Sequence, residues 1–358
     1  MKIGIVTLYD DQNFGNKLQN YAVQKFFEKL GYSCETIPYY EMVNEKLSLK
    51  SMIHTFFAII GIDKKRYALR RRRKYIKTFS SEYLHLRKCI KLKKLPKSLN
   101  DEYDYFVVGS DQVWRNWTST SWELEYFLLN FASEKKRYSI SPSFGKNSIE
   151  EIFEKKYCEN LKRFQLLTCR EERGCELIEE CSGRRAILLL DPTMLIDIED
   201  WEKILRRPSN FSVKKYILLY ALGEISEKVK KEIVWINQAY NYEVIDIYNI
   251  NNDFYTTTRP DEFLYWIKHA EIVLTDSFHA CIFSILFNRN FLVFDRIDAC
   301  MENMESRIET LLKTFQLEKR KIDVSERQDY FSCDFTHIAE ILNAKRRFAY
   351  NLYVENLK

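Results

Sequence analysis

Short apolar runs recur along this chain, each closed by a polar turn and followed by a stretch with helical spacing. That alternation limits the fold more than any other feature. The runs fall at 105–108, 138–140, 166–168 and 186–190, and again at 216–220, 242–246, 272–274 and 291–294. Runs that are apolar throughout suit strands buried on both faces, as in a parallel sheet with helical crossovers. The opening has the same rhythm: 3–7 reads as a strand, about 18–30 as a helix stopped by Gly31, and 33–37 as the next strand. The expectation is an α/β protein of two doubly wound, Rossmann-like halves. The first covers 1–195 and carries a polar, basic, mostly helical insertion at about 41–100; the second covers 196–334. A final helix in 335–358 is long enough to cross back onto the first half. At 358 residues and 46% hydrophobic composition, the chain can fill two cores.

The net charge of +5 is modest but unevenly placed. Lys64, Lys65, Arg66, Arg70 to Lys74 and Lys77 follow the apolar patch 53–62 and make a basic, helix-like stretch. An anionic membrane face is its expected partner, rather than nucleic acid; the alternative is a solvated helix. The patch itself is about half the ~20 residues that a spanning helix needs. The chain opens directly on a strand, with no secretory leader pattern. Its nine cysteines sit singly, with no CxxC pair, and read as buried thiols rather than a zinc cage or disulfide framework. These features imply a cytoplasmic protein, at the inner membrane face if the basic stretch binds there, with no metal or cofactor.

Four polar turns close strands, at the strand ends where open α/β sheets bind ligands. In the first, Gly15 permits close backbone approach, while Asn13, Asn16 and Lys17 offer donors for phosphate or hydroxyl groups; the alternative is a plain helix cap at Asn13. In the second, Ser110, Asp111 and Gln112 can fix hydroxyls, and Trp114 and Trp117 offer either stacking faces for a sugar or core packing. The third carries Arg170, whose fork suits a carboxylate or phosphate and is preferred to an ion pair with Glu171 or Asp191. The fourth is Asp276-Ser277-Phe278-His279. A helix start there attracts an anion, Asp276 and Ser277 are placed to orient the ring, and imidazole shuttles protons near neutral pH. No Gly-x-Ser-x-Gly elbow or glycine-rich nucleotide fingerprint is present.

Taken in order, these blocks resemble the polysaccharide pyruvyl transferases. The resemblance rests on Asn13-Phe-Gly-Asn16-Lys-Leu-Gln-Asn-Tyr-Ala22, Val108-Gly-Ser-Asp-Gln-Val-Trp114, Arg170-Glu-Glu-Arg-Gly174, Asp191-Pro-Thr193, Thr275-Asp-Ser-Phe-His279 and Ser306-Arg-Ile308. It implies a GT-B-like pair of Rossmann-like domains facing across a cleft, with the last helix returning to the first. It also implies transfer of pyruvate from phosphoenolpyruvate to a glycan or lipid-linked sugar, with His279 as the active-site histidine and Arg170 and Arg307 as fixed charges. Asp111 is the second expected catalytic group. In ketal-forming members the position two before the histidine is often an arginine that contacts phosphoenolpyruvate, and here it is Ser277. A nucleotide-sugar glycosyltransferase of the same architecture, or a non-catalytic assembly protein of polysaccharide synthesis, are the alternatives.

Overall fold

The apolar runs form two four-stranded parallel sheets in a computed structural model that describes residues 1–40, 64–92, 95–116, 121–209, 211–212, 215–296 and 305–357. The patch 53–62, the rest of 41–63 and Trp117 lie outside the described residues. In the first half the strands are β1 (Lys2–Val6), β2 (Ser33–Thr36), β3 (Tyr39–Tyr40), β4 (Ile90–Lys91), β5 (Tyr105–Val108), β6 (Arg137–Ser139), β7 (Thr168–Cys169) and β8 (Ile187–Leu188). The second half contributes β9 (Tyr216–Tyr220), β10 (Glu243–Asp246), β11 (Ile272–Thr275) and β12 (Phe291–Val293).

Both large sheets repeat one topology. The first runs β2-β1-β5-β6 and the second β10-β9-β11-β12. β1 and β5 pair in parallel with Val6 beside Val108, and β9 and β11 with Tyr220 beside Thr275, so in each sheet the central strands end level. Polar turns at those ends are thereby gathered into one row per sheet, as the strand-end rule requires. Helices cover both faces, which is why the four residues of β5 and of β11 and the five of β9 are all buried.

The two halves share a core rather than merely touching. Phe14, at the start of the helix Phe14–Lys29, stacks on Phe263 at 5.0 Å and Tyr220 at 5.9 Å. Trp201 lies between Tyr21 at 5.5 Å and Phe283 at 4.9 Å. The last helix, Ile338–Asn356, docks on the first half: Tyr353 meets Phe26 and Phe27 edge-on and donates its hydroxyl to the Ser139 carbonyl at 2.5 Å. This is the GT-B-like arrangement, with the final helix crossing back.

Two expectations are corrected. Cys158 and Cys181 are disulfide-bonded, not single thiols, because the helices Glu151–Leu161 and Glu172–Ser182 bring them side by side. The helix expected to start near 18 begins at Phe14, because the Asn13 side chain accepts from the Gly15 amide and caps it.

Candidate active site

His279 is the second residue of the helix Phe278–Leu286, which follows β11 and is capped by the Ser277 side chain. Its ring lies against Gly15, so closely that a Cβ there would collide with Nδ1. The first and fourth polar turns therefore meet directly, one from each sheet. On its other side, Nε2 stands 3.8 Å from the Asp191 carboxylate and makes no hydrogen bond within the described residues.

Asp191 joins the parts of the site. It caps the short helix Pro192–Leu195 by accepting from the Thr193 amide, and it also accepts from the Thr193 hydroxyl. Its other oxygen accepts from Arg170 Nη1 at 2.8 Å and lies 3.0 Å from the Ser110 hydroxyl. Arg170 also reaches Asp111 at 3.3 Å, and Asn16 lies 3.4 Å from the same carboxylate. The guanidinium of Arg170 sits over the Phe278 ring at 4.6 Å, and Arg307 approaches that ring at 5.7 Å. Two arginines thus flank the start of the helix that carries His279.

Burial pushes the His279 pKa below its ordinary value, opposed by Asp191 and Asp111 and reinforced by Arg170 and Arg307. Burial thus favours the neutral imidazole, while the two carboxylates favour its charged form. Burial would lift both carboxylates, yet His279 and Arg170 hold Asp191 below the usual range, while Arg170, His279 and Arg307 do so for Asp111. Arg307 is pushed down to about 9 by burial and by its neighbour Arg170, opposed by Glu171 and Asp111.

The remaining expected residues divide. Gly15, Asp111, Arg170, Ser277 and Arg307 lie around His279, and Asn16 and Ser110 reach the carboxylates of Asp111 and Asp191, whereas Asn13 is the plain helix cap of the alternative reading. Asp276 does not orient the ring; its carboxylate accepts from the Leu222 and Gly223 amides and from Arg296 Nε at 2.8 Å, closing the loop after β9. Lys17 is buried against Asp11 at 3.3 Å and over the Tyr9 ring, so its charge serves the turn. Gln112 packs beside Gly145 and accepts from Arg115. Trp114 is a core residue, 1% exposed, donating to the Phe127 carbonyl and packed on Phe144; it has no free face for a sugar. Arg170, expected as a ligand fork, forms the ion pairs that were the less favoured reading. The sequence reading named Asp191 only as the alternative partner of Arg170 and within a family block, and it missed Arg296. Both follow apolar strands, the signal already used for the other four turns.

The family model for polysaccharide pyruvyl transferase matches residues 13–298, which takes in all of these turns up to Arg296. The chain belongs to the polysaccharide pyruvyl transferase family. No curated protein matches it in sequence. Among solved structures, the UDP-GlcNAc 2-epimerase of Neisseria meningitidis bound to UDP-GlcNAc is similar in fold, with 12% identity and a TM-score of 0.50 over 100% of this chain and 99% of that one. An epimerase of Methanocaldococcus jannaschii (15%, TM-score 0.46, 96% and 100% covered) and the E. coli ADP-heptose LPS heptosyltransferase II (10%, 0.37, 98% and 99%) are more distant likenesses. Arg296 sits on Asp276, with its side chain 9% exposed.

Proposed function

We propose that this protein transfers the pyruvyl group of phosphoenolpyruvate to a sugar of a cell-surface polysaccharide or its precursor, releasing phosphate. The observation that carries this reading is a buried His279 at a helix start, against Gly15 and beside the Asp191 carboxylate, with two arginines flanking that start. The helix start and Arg307 would hold the phosphate and carboxylate of such a substrate. Arg307 would take an anionic group, with Arg170 fixed in its ion pairs behind it and Arg296 as a further cation beside Ser277.

In ketal formation one sugar hydroxyl adds to C2 of the enol as C3 gains a proton, and a second hydroxyl then displaces phosphate from C2. Of the two hydroxyl protons, one balances C3 and the other leaves with phosphate. His279 is the group suited to move them, because imidazole is the side chain whose ordinary pKa lies nearest neutrality. Asp111 and Asp191, held ionised, orient Arg170 and stabilise the imidazolium once it forms.

Purified protein incubated with phosphoenolpyruvate and a panel of lipid-linked and model glycosides should release phosphate, with a matching mass gain in one acceptor. His279→Ala should abolish both while the melting temperature holds. No release with any acceptor, or unchanged turnover in the variant, would overturn the assignment.

A further inference from the structure

The helix Lys64–Tyr83 has two faces with different tasks. Its inner face buries Ala68, Arg72, Ile76 and Phe79. Arg72 donates from Nε to the Gln12 carbonyl at 2.9 Å and places its guanidinium 4.2 Å from the Phe14 ring. The helix thus supports the turn on which His279 rests. Its outer face exposes Arg66, Arg70, Arg73, Lys74 and Lys77, at the i, i+4, i+7, i+8 and i+11 positions of a single stripe.

Like charges crowd that stripe. Arg70 with Lys74 and Arg73 with Lys77 are like-charge pairs four apart, which destabilise a helix. No acidic residue occurs between Lys64 and Ser81 to alternate with them. Lys77 does meet Asp11, at 3.4 Å across to the site turn. From Arg66 to Lys77 the row runs about 16 Å, and Arg70, Arg73, Lys74 and Lys77 line a shallow depression of about 520 Å³ with Thr78 and Ser81. A long, nearly flat row of cations fits a surface of many anions better than a single ligand. Tyr67, 49% exposed, flanks the row as an aromatic anchor does at a headgroup layer.

We propose that this outer face docks the protein on an anionic phospholipid bilayer. Docking places the turn carrying Gly15, and with it His279, one helix away from the membrane, where a lipid-carried acceptor would be presented. The attraction is electrostatic and falls with salt.

The test uses the full chain with phosphatidylcholine vesicles, with and without phosphatidylglycerol. It needs no turnover, so its outcome is independent of the proposed reaction. The wild type should co-sediment with the charged vesicles alone and be released by raised salt. R70Q/R73Q/K74Q, changed only at exposed positions, should lose about a hundredfold in partition with a melting temperature no lower than the wild type's, since it removes like-charge pairs. Equal binding to both vesicle types, absence of binding, salt-resistant binding or an unaffected variant would each overturn the proposal. So would binding to a labelled DNA duplex without binding to charged vesicles, which would assign the stripe to nucleic acid.

Discussion

Gly15 touches His279 because it has no side chain, and the contact fixes how the imidazole sits. Gly15→Ala places a methyl group in the space of Nδ1, so the ring must move. We expect a stability loss of about 1–3 kcal/mol by thermal unfolding and a fall in turnover of about a hundredfold. The histidine also leaves a pH signature. Its folded pKa lies below the ordinary 6.5, so as pH falls through that value the unfolded chain binds a proton that the folded protein resists, and stability declines. His279→Gln removes this linkage. The variant should lose less stability than the wild type between pH 7 and 5, and equal losses in parallel urea titrations would show that the ring is not held neutral. The sequence marked His279 through its strand-to-helix turn. It could not tell that Gly15 matters for contact rather than for ligand approach, since that depends on two segments from different sheets.

At the scale of elements, the strands, the helices and the return of the last helix to the first half followed from the sequence, and the side chains that dock it did not. Tyr353 packs on Phe26 and Phe27 and bonds the Ser139 carbonyl at the end of β6. Tyr353→Ala should cost about 3–5 kcal/mol in denaturant unfolding. Tyr353→Phe should cost about 1 kcal/mol, because the Ser139 carbonyl still accepts from the Thr168 hydroxyl at 3.0 Å. A Phe variant as damaging as the Ala variant would mean that the hydroxyl, not the ring, holds the helix. Trp114 illustrates the opposite error. Its position after a polar turn suggested a ligand face, but the chain turns back through Ser143 and Phe144 and closes over the indole.

For the whole molecule, the two halves share one core through Phe14, Tyr220 and Phe263, and the site is built across that junction. A ligand that binds only this assembled form should raise the melting temperature. Phosphoenolpyruvate at a hundred times its dissociation constant would add about 2.7 kcal/mol, whereas stabilisation by a nucleoside diphosphate in its place would favour a glycosyltransferase. The sequence by itself determined the α/β class, the strand ends that carry polar turns and the order of the family's blocks, because these are local: periodicity, capping and short-range spacing act within a few residues. Only the tertiary structure decided that Asp191 links Arg170 to His279, that Asp276 serves Arg296 and a backbone loop, and that Cys158 meets Cys181. Those partners lie far apart along the chain, and their pairing is set by how sheets and helices pack, where burial selects which charges must find each other.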